Sequence, residues 1–234
     1  MSAKSKNSKP GGKPEKLHVG LLLDESGSML GNENAVIGGV NEFVERLRAQ
    51  ESSTKVSATL GTFDRRGNEP VVRYVYSGIP LDEVIAMTPE QYLPHGATPL
   101  NDAVAGVIRQ IDSQASKGER VMLVVLTDGL ENASETPTRQ LRKLISEKEA
   151  AGWEFIYLGA NQDAWAESDA IGIDARGKKF DYIASHHGTE AALRFASDRA
   201  LRFRESPVDY DKELPALGDA IAESGEVERK RDDD

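Results

Sequence analysis

The chain of 234 residues contains no cysteine, which excludes disulfide bonds, thiol catalysis and thiolate ligands for a metal. Aromatic residues make up only 6% of it, so a core must be built mainly from valine, isoleucine, leucine and alanine. No segment reaches the roughly 18 consecutive apolar residues of a membrane span, and residues 1–16 lack the apolar stretch of a secretory signal. We therefore expect a cytoplasmic protein.

Basic residues are also fewer than acidic residues. Lysine and arginine together number 29 against 39 aspartates and glutamates, which gives a formal net charge of −10 at pH 7. Such a surface disfavours nonspecific binding to nucleic acids and to anionic membranes. We expect neither as a partner, and composition leaves the oligomeric state open.

The composition divides the chain into three parts. Residues 1–16 carry five lysines, one acidic residue and almost nothing that could be buried, so they predict a disordered basic tail. Residues 17–204 alternate strand-like and helix-like segments, which indicates one α/β domain with a doubly wound, mainly parallel sheet and helices on both faces. Residues 205–234 predict a polar, acidic C-terminal tail.

The predicted strands cover residues 17–24, 55–64, 70–77, 120–127, 153–159 and 180–185. The predicted helices cover residues 34–51, 99–117, 136–151, 163–171 and 189–204. The third strand follows the second after a short turn, so we expect it to pair antiparallel at the sheet edge. Thr98 is predicted to be the N-cap of the second helix, with Pro99 at the first helical position.

Oxygen-bearing side chains are concentrated on three loops of this pattern: Asp24, Ser26 and Ser28 after the first strand, Thr98 before the second helix, and Asp128 after the fourth strand. Open parallel sheets bind ligands beyond the carboxyl ends of their strands. Hydroxyl and carboxylate oxygens suit Mg²⁺, Mn²⁺ or Ca²⁺ rather than zinc or copper. Taken singly, each residue also fits a helix cap, a turn or a nucleophile.

Together, Asp24-x-Ser26-x-Ser28, Thr98 and Asp128 resemble the metal-ion-dependent adhesion site of von Willebrand factor type A (VWA) domains. The resemblance covers residues 17–204 and all five signature positions, and it implies a Rossmann-like fold. It also implies that Ser26 and Ser28 bind the ion directly and that Thr98 binds directly or through water. Asp24 and Asp128 would hold coordinated waters.

The resemblance further implies Mg²⁺ as the ion, with Mn²⁺ or Ca²⁺ as alternatives, and a partner protein that presents Asp or Glu to it. Mg²⁺ gives up its waters reluctantly, so neutral hydroxyl ligands leave it electron-poor and receptive to an anionic oxygen. No catalytic step is needed. The chain also resembles single-domain proteins of bacteria and their viruses, some of them linked to stress responses.

Two alternatives stay open. Asp24 could be the nucleophile of a metal-dependent hydrolase or phosphotransferase, although Ser26 stands where such enzymes need a second aspartate and no glycine-rich P-loop with a lysine occurs. The second alternative is a scaffold component that binds its partners through its tails.

Other polar residues near the predicted site are given no role in the metal chemistry. Glu25, Glu131 and Asn132 are expected at the rim, where they either influence partner choice or are merely solvated, and Asp64 is expected to be a turn residue. His186 and His187 are predicted to follow the last strand and, with His95, to stay outside the site. Trp153 and Trp165 are expected to serve packing.

Overall fold

The computed structural model describes residues 15–67, 69, 71–160, 168–173 and 179–205. Its strands are β1 (Lys16–Asp24), β2 (Lys55–Phe63), β3 (Val72–Pro80), β4 (Arg120–Thr127), β5 (Trp153–Ala160) and β6 (Lys179–Tyr182). They form one sheet in the order β3-β2-β1-β4-β5-β6. Only the β2 and β3 pair is antiparallel, which confirms the predicted mainly parallel sheet with an antiparallel edge strand.

Among the described residues, four longer helices cover the sheet: α1 (Glu33–Ala49), α2 (Leu100–Gln114), α3 (Thr138–Ala150) and α4 (His186–Glu205). The helices pack in two separate apolar clusters: α1 and α4 contribute to one, and α2 and α3 contribute to the other. Within the described residues, no helix has the length and apolarity required to cross a membrane.

The two clusters follow from the alternation of side chains along the central strands. In β4, Met122, Val124 and Leu126 face the α1 and α4 cluster, while their neighbours Val121 and Val125 face the other. Both faces of the strand are therefore buried, as an unbroken apolar run in a parallel sheet predicts. Gly39 allows α1 to approach α4 closely, because a Cβ there would lie 2.6 Å from Leu193 Cδ1.

Some element boundaries differ from the predictions. α4 begins at His186, three residues earlier than predicted, so the placement of both histidines at a strand end was wrong. Their exposed side chains belong to the first turn of the helix, and His186 Nε2 lies 3.2 Å from Glu190 Oε1. Trp153 is 7% exposed and packs in the core as expected.

Several predictions lie outside the described residues. Both tails are among them, apart from the few residues next to the domain. So are Trp165 and residues 163–167 of the helix predicted over 163–171, whereas residues 168–171 are described and helical. The tail predictions therefore stay predictions.

A buried histidine at the amino end of β1 gives a testable pH dependence. His18 is 1% exposed, its Nε2 lies 2.9 Å from Thr59 Oγ1 and its Nδ1 lies 3.0 Å from Ser57 Oγ. Burial lowers its pKa to about 4, against a smaller opposing effect of the Glu119 charge. The folded protein therefore keeps this ring neutral where the unfolded chain takes up a proton.

A lowered folded-state pKa means that the stability contribution of His18 is complete above pH 6.5 and is lost as the pH falls towards 4. We expect the wild type to lose roughly 2 kcal/mol relative to His18→Gln between pH 7 and pH 5, at about 1.4 kcal/mol per pH unit. Urea unfolding of both proteins at both pH values measures this difference. Parallel pH profiles would contradict it.

Candidate metal centre

The predicted site residues lie at the point where the strand order changes direction. From β1 the chain goes first to β2 and β3 on one side, and later to β4 on the other. The carboxyl ends of β1, at Asp24, and of β4, at Thr127, therefore flank the crevice in which open α/β sheets bind their ligands.

Hydrogen bonds join four of the five predicted residues. The Ser26 backbone N–H donates to Asp24 Oδ1 at 2.8 Å, and the Ser26 and Ser28 hydroxyl oxygens lie 3.1 Å apart. The Ser28 hydroxyl donates to Asp128 Oδ1 at 2.6 Å. A short 3₁₀ helix over Gly27–Met29 turns the chain so that both hydroxyls lie on one side.

Thr98 completes the group, as the space around Gly129 shows. A Cβ at Gly129 would lie 2.9 Å from Thr98 Oγ1, 3.4 Å from Ser28 Oγ and 3.6 Å from Asp24 Oδ2. Oxygens from three loops thus surround one small region, and a glycine keeps it clear of side-chain atoms. Asp24 is 0% exposed and Thr98 3% exposed, whereas Ser28 is exposed, so the group has a buried floor and an open mouth.

The two carboxylates of this group have no positive counter-charge among the described side chains. Burial raises the pKa of Asp24 to about 6, although hydrogen bonds from Thr127 and Ser26 act in the opposite direction, and burial also raises the pKa of Asp128. In the part of the chain that the structure describes, neither forms an ion pair with lysine or arginine. A cation between them would favour their ionised forms, so the electrostatics fit a bound metal ion.

The chemistry of the donors fits a hard cation in particular. Over the described ranges, no three histidine, cysteine, aspartate or glutamate side chains form a group that could hold a metal. The site instead combines three hydroxyls with two carboxylates, which are the oxygen ligands preferred by Mg²⁺ and similar ions.

Thr98 does not cap the second helix, so that prediction was wrong. α2 begins at Leu100 with Pro99 in the cap position, and the Thr98 N–H donates to Asn132 Oδ1 at 2.9 Å. The first N–H groups of the helix are satisfied from the Asp128 loop instead, because Glu131 accepts from the Asn101 N–H at 2.8 Å. The threonine hydroxyl is therefore turned towards Gly129 rather than back onto the helix.

Backbone contacts hold the first two loops together. The Gly27 N–H donates to the Gly96 carbonyl at 3.1 Å, and the His95 N–H donates to the Glu25 carbonyl at 2.7 Å. Gly96 has a φ of +79°, and a Cβ there would lie 2.5 Å from the Arg65 carbonyl oxygen. Only glycine tolerates both conditions, which explains its place before Ala97 and Thr98.

A buried ion-pair network lies beside the site. Glu25 is 3% exposed and Asp64 is 0% exposed, and each is paired with both Arg66 and Arg73. Arg73 Nη1 lies 2.6 Å from Asp64 Oδ1, and Arg66 Nη2 lies 3.2 Å from Glu25 Oε1. The expectation of a turn aspartate was therefore wrong for Asp64, and Glu25 is not a solvated rim residue.

Sequence reasoning missed two residues that hold Asp24 in place. The Thr127 hydroxyl donates to Asp24 Oδ2 at 2.5 Å, and the Tyr92 hydroxyl donates to the Asp24 carbonyl. Thr127 could have been suspected, because it directly precedes Asp128 at the strand end. Tyr92 carries no sequence signal, since it stands 68 positions away from Asp24.

The von Willebrand factor type A domain model matches residues 18–191 of the chain. The chain belongs to this family. Domains of this family are typically protein-binding or adhesion modules that act through a metal-ion-dependent adhesion site. The match covers β1 to the first turn of α4, and so includes all three loops of the candidate metal centre.

Individual relatives agree with the assignment to the VWA family. The thrombospondin-related anonymous protein of Plasmodium berghei (strain Anka) is 32% identical over 137 residues, which are 55% of this chain and 22% of that protein. The chain thus spans about a fifth of the length of this relative.

Solved structures share the VWA fold at low sequence identity. The PilB minor pilin of Streptococcus sanguinis has a TM-score of 0.59 and 13% identity, over 82% of this chain and 63% of that chain. Proximal thread matrix protein 1 of the mussel byssus was solved with a zinc-occupied MIDAS motif, the abbreviation for metal-ion-dependent adhesion site. It has a TM-score of 0.57 and 15% identity, over 79% of this chain and 48% of that chain.

Proposed function

We propose that this VWA domain is a divalent-cation-dependent protein-binding module that captures an acidic residue of a partner protein. One observation carries the proposal: hydroxyls from two loops converge beside Gly129 with two carboxylates that have no ion-pair partner among the described residues, and Ser28 is exposed at the mouth. A cation held there would balance the buried charge and still face solvent on one side.

The chemistry of each side chain suggests its role. Ser26 and Ser28 would bind the ion through their hydroxyls, Thr98 would bind directly or through water, and Asp24 and Asp128 would hold coordinated waters. Mg²⁺ is the proposed ion, with Mn²⁺ or Ca²⁺ as alternatives. When bound, the ion supplies a positive centre that attracts a carboxylate oxygen, and neutral hydroxyl ligands leave that charge largely uncancelled.

We propose that the domain has no catalytic activity. As a nucleophile Asp24 would be poorly placed, because it is 0% exposed and both carboxylate oxygens accept hydrogen bonds, from the Ser26 N–H and the Thr127 hydroxyl. A phosphatase or nucleotidase activity that is lost in Asp24→Asn would overturn this part of the proposal and favour the hydrolase alternative.

The biological setting rests on sequence features. The absence of cysteine supports a cytoplasmic location, and the acidic composition supports a protein partner rather than a nucleic acid or a membrane. The resemblance of the sequence to single-domain proteins of bacteria and their viruses supports a bacterial or phage origin and a link to stress responses. Binding through the tails is the alternative that survives if capture proves insensitive to chelation.

A random peptide library displayed on phage tests the proposed function. We expect selection on the immobilised protein in Mg²⁺ to enrich peptides containing Asp or Glu, and EDTA to release them. Gly129→Ala should bind Mg²⁺ about 10- to 100-fold more weakly and lose this enrichment, because its methyl group displaces the Thr98 hydroxyl. Gly38→Ala is the matched control, since a Cβ at this position on α1 meets nothing within 4 Å. Enrichment that is equal in EDTA would refute the proposal.

A further inference from the structure

In the described residues, large apolar side chains are exposed mainly at the carboxyl edge of the parallel sheet, where the candidate metal centre lies. The described part of the chain exposes six, and four of them lie on loops at the carboxyl edge of the parallel sheet. We call these four the apolar rim: Leu30 (64% exposed), Leu93 (57%), Leu130 (46%) and Ile183 (80%). Single exposed apolar residues are common on proteins, but their concentration at one edge indicates an interaction surface.

Two members of the apolar rim follow the candidate metal ligands directly. Leu30 stands two residues after Ser28, and Leu130 stands two residues after Asp128. Ser28 and Asp128 are themselves joined by a hydrogen bond of 2.6 Å. The two leucines therefore extend from two loops that meet at the mouth of the site.

The other two members lie on neighbouring loops. Leu93 is fixed by its backbone, because its N–H donates to Glu25 Oε1 at 2.5 Å and its carbonyl accepts from Arg66. Ile183 follows Tyr182, the last residue of β6. Tyr182 pairs with Ala160, the last residue of β5, so Ile183 lies at the carboxyl edge of the sheet.

We propose, on the basis of the proposed function, that the partner presents a single Asp or Glu flanked by large apolar side chains. The carboxylate would meet the cation, and its neighbours would cover the apolar rim. Burying exposed leucine or isoleucine side chains is favourable, so contacts with even part of the apolar rim would add to the affinity supplied by one metal-bound carboxylate.

A run of acidic residues fits this surface poorly. Only the carboxylate at the cation would be neutralised, and the others would lose water against leucine and isoleucine without a counter-charge. Two arginines beside the site, Arg66 and Arg73, are already paired with Glu25 and Asp64. The net charge of −10 also repels an acidic tract or a polyanion.

The same displayed peptide library tests this inference through the residues that flank the acid. We expect peptides selected by the wild type in Mg²⁺ to carry one Asp or Glu with large apolar neighbours. A selected peptide should bind Leu30→Ser/Leu130→Ser about tenfold more weakly, while the Mg²⁺ affinity of this variant stays unchanged.

Ile85→Ser is the matched control, and it should bind the peptide like the wild type. Ile85 is 81% exposed but lies at the opposite, amino edge of the parallel sheet. Its neighbour Val84 shows this position, because the Val84 carbonyl accepts a hydrogen bond from Arg48 near the end of α1. Peptides with acidic runs or polar flanks, or equal affinity for the rim variant, would overturn the inference and leave the proposed function intact. A lack of Mg²⁺-dependent selection of acidic peptides would overturn both.

Discussion

The double variant Ser26→Ala/Ser28→Ala is expected to bind Mg²⁺ more than about 100-fold more weakly than the wild type. It removes both hydroxyls proposed to bind the ion directly, and leaves Thr98 and two carboxylates that are placed to hold waters. Isothermal titration with Mg²⁺ and with Mn²⁺ measures the loss. Ser113→Ala/Ser116→Ala, which removes two exposed hydroxyls in the last turn of α2 and just beyond it, is the control with the same chemistry.

The fold of the double variant should survive. The double variant removes the contact between Ser26 and Ser28 from both sides, and water can replace the hydrogen bond from Ser28 to Asp128, because Ser28 is exposed and Asp128 is half-buried. At 100 times the wild-type dissociation constant, Mg²⁺ should raise the unfolding free energy of the wild type by about 2.7 kcal/mol and that of the variant by no more than about 0.4 kcal/mol. Equal stabilisation of both proteins by Mg²⁺ would show that the ion binds elsewhere.

Arg73→Met is expected to lower the free energy of unfolding by about 3 kcal/mol. Arg73 is paired with both Glu25 and Asp64, which are almost completely buried, and its loss leaves two carboxylates with Arg66 alone. Removing one partner of a buried ion pair destabilises because the remaining charge stays out of water. Urea unfolding of the metal-free protein measures the effect.

The matched control for Arg73→Met is Lys143→Met, in an ion pair with Glu147 whose side chains are 79% and 60% exposed. Exposed pairs contribute little, so we expect a change within about 0.5 kcal/mol. Arg73→Met should also weaken Mg²⁺ binding, because Glu25 adjoins Asp24 and holds the backbone of Leu93. A loss of stability no greater than that of the control would show that the network is not a structural support of the site.

Much of the fold could be predicted because its signals are local. The bounds predicted for β4, residues 120–127, are those observed, since an apolar run between polar residues marks a buried strand at both ends. The start of α4 was less predictable. His186, His187 and Gly188 favour no single structure, and the helix begins there because the chain has to turn at the end of β6.

The candidate metal centre shows the same division. The spacing of Asp24, Ser26 and Ser28 is local, and so is the position of Asp128 at a strand end, which is why the sequence indicated these residues and their chemistry. The partners that hold them come from distant parts of the chain, as Tyr92 does for Asp24. No pattern within a short window contains that information.

The sequence alone determined three things: the fold class, the hard-oxygen character of the proposed site and the residues proposed as its ligands. Each of them depends on neighbours within a few positions. Only the tertiary structure decided that Glu25 and Asp64 are buried with Arg66 and Arg73, and that Glu131 rather than Thr98 satisfies the start of α2. It also decided that four exposed apolar side chains lie on loops at the same edge of the sheet as the candidate metal centre. The physical reason is that the sheet determines which loops become neighbours, and contacts between loops set the burial and the charge of every group at its edge.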